Sequence, residues 1–258
     1  ILENVRLLQD LGYHLHHTRR KGGALLLDQE KAFDRLAWRY LRAVLVRFGF
    51  GPLFTNALDR LSHDASSSLK VNGFLSSLLE ILCGVRQGSP LSPLLYVLAH
   101  EGLACALRSY PGICGLAIPG SSPPTRVKTL LYADDTAVFF EDPQEIVLIK
   151  EILSEYEVAS NARLNWAKSE GILFNLPEPP RTLWEGRWLA KGEVTRYLGV
   201  PFSHDQDPTR LWEEALSKIS NSFRAWSAHY LSLTGRGVVL KSYIIPKIIY
   251  LASALPLT

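Results

Sequence analysis

Two runs rich in β-forming residues, Val127 to Leu131 and Ala137 to Phe140, flank the tetrapeptide Tyr132-Ala133-Asp134-Asp135. That pattern places a tight turn on two adjacent carboxylates at the end of an apolar hairpin. Neighbouring carboxylates repel one another, and an apolar setting makes the repulsion worse. A bound divalent cation relieves both costs. The tetrapeptide is therefore a candidate Mg²⁺ site; read alone, it serves equally as a solvated Asp-Asp turn.

A second acid sits where such a site needs one. Ala24-Leu25-Leu26-Leu27 reads as a buried strand that ends at Asp28, followed by Gln29-Glu30-Lys31-Ala32-Phe33-Asp34. An acid at the C-terminal end of an apolar strand is well placed to ligate a metal or a substrate. If this strand lies beside the hairpin, three carboxylates converge, enough to hold two Mg²⁺ ions around a phosphoryl-transfer centre. Asp28 has the alternative role of helix N-cap, and Asp34 reads as a first-turn helix acid or ion-pair partner.

The third element is Gly84-Val85-Arg86-Gln87-Gly88-Ser89-Pro90-Leu91-Ser92-Pro93, between an apolar strand (Leu78 to Cys83) and a long apolar helix (Leu94 to Leu107). The glycines admit a ligand close to the backbone, and Ser92-Pro93 reads as N-cap and first helical position. Helix amides beside Arg86 suit a phosphate or a nucleotide edge, although a plain strand-to-helix turn has the same appearance.

In this order, Asp28-x-x-Lys31-Ala32-Phe33-Asp34, the Gly84–Pro93 segment and Tyr132-Ala133-Asp134-Asp135 resemble the successive palm motifs of reverse transcriptases of the non-LTR (LINE-type) retrotransposons. Leu164-Asn165-x-x-Lys168-Ser169 resembles the family's motif after the catalytic hairpin, and Tyr197-Leu198-Gly199 its primer-gripping hairpin. Leu231 to Arg236, with Lys241-Ser242 and Ile245-Pro246-Lys247, resembles the helical segment after the palm.

The resemblance implies an α+β fold: a polymerase palm, an antiparallel sheet backed by helices, with partial fingers over residues 1–203 and the helical start of a thumb over 204–258. It implies RNA-directed DNA synthesis with two Mg²⁺ ions (or Mn²⁺), an RNA template, a DNA primer and dNTPs. Asp28, Asp134 and Asp135 would be the catalytic metal ligands, joined by the Gln29 backbone carbonyl. Phe33 would lie beneath the sugar and exclude a 2′-hydroxyl. Arg86, Gln87 and Gly88 would line the nucleotide pocket, and Lys168 would protonate or charge-stabilise pyrophosphate. Tyr132, Tyr197, Leu198 and Gly199 would contact primer and template. The competing readings are a non-catalytic relic that only binds nucleic acid, a group II intron maturase-like polymerase and an RNA-templated RNA polymerase. Phe33 speaks against RNA synthesis.

Composition agrees with a large core and offers no metal-knuckle signature. The 258 residues are 47% hydrophobic with three cysteines, Cys83, Cys105 and Cys114, without C-x-x-C spacing. His14, His16 and His17 match no metal motif and read as part of a polar loop from His14 to Gly23, after a helix ending near Leu11. Net charge is only +3, yet no acid follows Glu214, while Lys218, Arg224, Arg236, Lys241 and Lys247 do. A basic surface with Trp226 and Tyr230 suits a nucleic-acid backbone. No uninterrupted apolar run reaches bilayer length, since Pro246 and Lys247 break the stretch from Tyr243 to Leu257, so no membrane partner is expected. With Ile1 first and no Met anywhere, the chain is expected to be part of a longer polyprotein, acting inside the cell, in cytoplasm and nucleus, as a ribonucleoprotein.

Helical spacing of Leu36, Tyr40, Leu41, Val44, Leu45 and Phe48 marks a helix laid on the sheet. Further helices are expected at Pro52 to His63 and after Asp142-Pro143 and Asp207-Pro208. Asn72-Gly73 marks a hairpin. Strands near 171–174, 184–190 and 195–200 are expected to complete the sheet.

Overall fold

The computed structural model describes residues 1–255 apart from His63, Pro124, Pro180 and Arg181; residues 256–258 also lie outside the description. The expected end of the second helix at His63 and the tail of the Tyr243–Leu257 stretch thus fall on residues not described.

In chain order the elements are α1 (Leu2–Thr18), β1 (Gly22–Leu27), α2 (Ala32–Arg35), α3 (Trp38–Arg47), α4 (Pro52–Ser62), β2 (Ser66–Ser67), β3 (Lys70–Val71), β4 (Phe74–Leu75), β5 (Leu79–Glu80) and α5 (Ser92–Ser109). Then come β6 (Leu116–Ala117), β7 (Arg126–Val127), β8 (Thr129–Tyr132), β9 (Asp135–Phe140), α6 (Glu145–Ser160), β10 (Glu170–Phe174), β11 (Arg187–Trp188), β12 (Val194–Tyr197), β13 (Val200–Ser203) and α7 (Pro208–Ser227). A continuous helix closes the described chain: α8 (Leu233–Val239), a π-helical turn (Leu240–Ile244) and α9 (Ile245–Ala254).

The central sheet has five strands in the order β11-β10-β1-β9-β8, antiparallel except for β10 against β11. Side chains alternate across it. Ala24, Ala137, Phe139, Ile172 and Phe174 face one core with Val5, Leu8 and Leu11 of α1 and Leu211 and Ala215 of α7. Leu25, Leu27, Val138 and Phe140 face the other, with Leu103 and Leu107 of α5 and Ile146, Ile149 and Leu153 of α6. The α+β palm architecture is as expected, but helices cover both faces rather than one. That accounts for the near-continuous apolar runs in β1 and β9, whose residues need burial on each side. At Gly23 a Cβ would stand 2.2 Å from the Phe140 ring and 2.8 Å from the Ile172 carbonyl, so only glycine lets these strands pack with that ring between them.

Several local expectations change. The helix α1 runs on to Thr18, so His14, His16 and His17 lie on its solvent side while Leu11 and Leu15 keep the buried stripe. The apolar face of α3 packs on α5 instead of the sheet: Leu41 and Leu45, with Leu36 just ahead of the helix, share a core with Leu95, Tyr96 and Ala99. Only Leu79–Glu80 of the Leu78–Cys83 run is a strand, paired with Ser66–Ser67; Leu78 and Leu82 are exposed. The Asn72-Gly73 hairpin forms as expected, both turn residues having positive φ. Among the described residues, β12 and β13 pair only with each other, forming a separate hairpin and not an extension of the sheet.

The C-terminal helix corrects another expectation. Pro246 directly follows the π-helical turn Leu240–Ile244, where the hydrogen-bond ladder is already shifted, and the helix from Leu233 to Ala254 is not interrupted. By length and composition alone this segment, of mean hydropathy 1.3, could cross a bilayer. It carries Arg236, Lys241 and Lys247, and Ile244, Leu251 and Ala254 join the core beside α1.

Candidate active site

Register brings the acids together. In β1 and β9, Leu27 lies opposite Thr136, and in the hairpin Tyr132 pairs with Asp135. One step further along, Asp28 lies beside Asp135 at the same end of the sheet and on the same side by alternation. Ala133 and Asp134 form the turn, with Ala133 at φ 52°, a left-handed conformation unusual for alanine. Burial raises the Asp135 carboxyl above its ordinary range, and the charges of Asp134 and Asp28 raise it further. Asp28 does not cap a helix, because α2 begins later, with Lys31 at its N-cap.

The backbone of Asp28 is held from below. Its N–H donates to Ser169 Oγ at 3.1 Å, and its carbonyl accepts from the Asn165 N–H at 2.9 Å. Ser169 Oγ in turn donates to the Asn165 carbonyl. The Leu164–Ser169 segment therefore positions the first acid, a role the sequence reading missed. Lys168 is exposed in that turn.

The second and third motifs interlock. Gln87 Nε2 donates to Asp34 Oδ1 at 2.9 Å, and the Val85 N–H donates to the Phe33 carbonyl at 2.7 Å. Gly84, at φ 90°, sits so close to Asp34 that a Cβ would stand 2.6 Å from its carbonyl oxygen. At Gly88, φ 85°, a Cβ would meet nothing within 4 Å, so this residue faces open space beside exposed Gln87. Phe33 stacks on Tyr96 with ring centroids 4.6 Å apart. Arg86 is turned away, donating to the Leu61 carbonyl at 3.0 Å. Ser92 is the first helical residue, not the cap, and its Oγ donates to the Arg86 carbonyl.

Other expected contacts are placed differently. Tyr132 is exposed at the hairpin, but Tyr197 is buried in the core, 4% exposed. Burial and then the nearby Asp135 charge raise its phenol above the ordinary range. The turn Leu198-Gly199 carries the open edge of the β12–β13 hairpin and is tied to α9, the Tyr250 hydroxyl donating to the Leu198 carbonyl. Of the C-terminal cations, Lys218 pairs with Glu214, and Lys247 lies 3.7 Å from the centroid of Tyr243. The basic face is thus partly neutralised within the chain.

Beneath the acids lies a buried polar cluster that no local signal announced. Gln29 Oε1 accepts from Tyr96 OH at 2.8 Å, and Gln29 Nε2 lies 3.3 Å from His100 Nε2. That ring reaches Thr136 Oγ1 at 2.9 Å and Tyr156 OH at 3.1 Å. Burial holds the His100 pKa down at about 4, so the imidazole is neutral, with one nitrogen donating and the other accepting.

Among the described residues, no three or more His, Cys, Asp and Glu side chains are arranged as a closed metal cage. The expected triad is gathered at one strand end. The donor set nonetheless fits a hard divalent ion: carboxylate oxygens from Asp28, Asp134 and Asp135 gathered at one end of the sheet. An antiparallel hairpin presenting acids beside a third acid on the central strand defines a polymerase palm.

The comparisons with known proteins name the family. A family model described as reverse transcriptase (RNA-dependent DNA polymerase) matches residues 2–202, and the chain belongs to that family. It is 35% identical over 263 residues to the transposon TX1 uncharacterized 149 kDa protein of Xenopus laevis, covering 97% of this chain and 19% of that protein. It is 26% identical over 248 residues to the RNA-directed DNA polymerase from mobile element jockey of Drosophila melanogaster, covering 87% of this chain and 25% of that protein. Its relatives thus lie among non-LTR retrotransposons, as the ordered motifs implied, and it spans about a fifth of the length of the first of them. The fold is also similar to apo telomerase from Candida tropicalis, truncated from its C-terminal domain, at TM-score 0.52 and 14% identity, covering 78% of this chain and 38% of that one.

Proposed function

We propose that the chain is the polymerising portion of a retrotransposon protein and extends a DNA primer on an RNA template using dNTPs. The observation that carries this reading is the register that sets Asp28 beside Asp135, with Asp134 at the adjoining turn. Asp28 and Asp134 would hold two Mg²⁺ ions, helped by Asp135 and the Gln29 carbonyl. When bound, the ions lower the pKa of the primer 3′-hydroxyl and offset charge on the triphosphate.

The remaining work falls to side chains. Phe33, fixed by its stack on Tyr96, lies beneath the incoming sugar and excludes a 2′-hydroxyl by shape. Gln87 and Gly88 form the open wall of the nucleotide pocket. Lys168 is free to reach pyrophosphate from its exposed turn, and Leu198-Gly199 with Tyr132 supports the primer end. The chain would act within a longer polyprotein, as a ribonucleoprotein inside the cell.

Primer extension on an RNA template with Mg²⁺ tests this, comparing the natural chain with Asp134→Ala. The expected result is extension by the first and a loss of about a thousandfold or more in the second, since removing a transition-state charge partner carries costs of that order. Equal extension by both overturns the site assignment. Absence of extension by the natural chain favours the reading of a nucleic-acid-binding relic.

A further inference from the structure

Asp28 and Asp135 stand at the ends of two strands, and strand ends fray unless something braces them. The residues immediately following these acids, Gln29 and Thr136, turn the opposite way by alternation, into the interior. Both meet the same side chain, His100 of α5, at 3.3 Å and 2.9 Å. His100 is 2% exposed, Gln29 8% and Thr136 1%. Three polar side chains from three separate elements are thus buried together immediately behind the acids. In an apolar core such a cluster is costly unless every member is paired, and a paired cluster fixes one geometry.

Resting on the function proposed above, we propose that His100 is a positioning residue, setting the separation of the Asp28 and Asp135 strand ends by bridging Gln29 and Thr136. The same Gln29 accepts from Tyr96, whose ring carries Phe33, so the bridge also connects the acids to the wall of the nucleotide pocket. The neutral imidazole meets Thr136 Oγ1 through Nε2 and the Tyr156 hydroxyl through Nδ1, one nitrogen donating and the other accepting, with the Gln29 amide nitrogen 3.3 and 3.4 Å from the two ring nitrogens, and it requires no charge compensation. A leucine would fill the space but take away the ring nitrogens that meet the Thr136 and Tyr156 hydroxyls and the Gln29 amide nitrogen, leaving the Gln29 side chain held by Tyr96 alone.

The test compares the natural chain with His100→Leu, His100→Gln and Thr136→Val, all confirmed folded by thermal melting. Amide hydrogen exchange and Mn²⁺ binding by electron paramagnetic resonance provide readouts independent of turnover. For His100→Leu, exchange should quicken about tenfold in peptides spanning residues 28–31 and 132–137, with little change within 171–174. Mn²⁺ affinity should fall about tenfold, the scale expected when a supporting hydrogen bond behind a ligand is lost. Primer extension should lose kcat by a similar factor while KM for dNTP stays within about threefold. His100→Gln, which can still bridge, should recover most of each loss even if it melts no higher than His100→Leu, and Thr136→Val should reproduce part of the loss.

Unchanged Mn²⁺ affinity and exchange in His100→Leu, or uniform quickening across the whole sheet, would overturn the proposal. So would a His100→Gln variant as impaired as His100→Leu. A natural chain that binds Mn²⁺ but extends no primer would overturn the proposed function alone, and exchange with Mn²⁺ binding would still decide the role of His100.

Discussion

The sheet and the C-terminal helix are both strongly apolar, but they use their apolar residues in opposite ways. In β9 the residues Ala137, Val138, Phe139 and Phe140 are all fully buried, shared alternately between two cores. Along the helix from Leu233 to Ala254, Leu233 is 87% exposed and Ile249 63%, and the core claims only one stripe. Local hydrophobicity therefore does not distinguish an element that stabilises the fold from one that presents apolar surface. The difference lies in how many faces meet a partner. The sheet is a complete structural unit that can hold acids rigidly at its end, whereas the helix has surface left over for another part of the protein or a ligand.

Truncation of side chains should make that contrast quantitative. Phe139→Ala should lower unfolding free energy by about 3–5 kcal/mol, since it opens a cavity in a core sealed on all sides. Ile249→Ala should change it by less than about 0.5 kcal/mol. Urea titration of both variants measures the difference, and similar losses would erase the distinction between the regions.

A smaller effect probes a joint outside both, between α7 and the β12–β13 hairpin. Burial acts to raise the Glu214 carboxyl on α7, but hydrogen bonds from Lys218 and Arg196, and their charges, outweigh it and hold the group below its ordinary range. Arg196 lies on β12, so this pair ties α7 to the palm-side hairpin. With the folded pKa depressed, the contribution is fully present above the ordinary carboxylate pKa and is lost as pH falls through the folded value. The pair is partly exposed, so it is worth less than about 1 kcal/mol. Glu214→Gln should therefore lower stability slightly at neutral pH and by nothing at strongly acid pH, measured by melting temperature across that range. A difference that persists in acid would mean packing, not charge, makes the joint.

Legibility in the sequence follows the same division. Asp28, Asp134 and Asp135 could be read because each ends or joins an apolar strand, and period-two burial on β1 and β9 is a local signal. The helix starting after Asp207-Pro208 was equally visible, with Asp207 accepting from the Thr209 N–H as a cap. What could not be read was the identity of partners. The stripe of Leu36, Leu41 and Leu45 shows that α3 has a buried face, but not that α5 rather than the sheet covers it. The strand expected near 195–200 turns at Leu198-Gly199 into a hairpin, and nothing local shows that it stays apart from the sheet. The His14–His17 cluster looked like a loop because its polar residues masked the stripe continued by Leu15. Gln29 and His100 are 71 residues apart, and neither carries any local mark of their meeting. The three acids were legible one by one, but the register that sets Asp28 beside Asp135 was not.

The central claim is that Asp28 and the Asp134-Asp135 turn share a divalent cation. Crystals of the chain soaked in Mn²⁺ and measured for anomalous scattering test it directly. The account expects a peak bounded by the carboxylates of Asp28 and Asp134, lost in Asp28→Asn. A peak elsewhere, or one that survives Asp28→Asn unchanged, would contradict it.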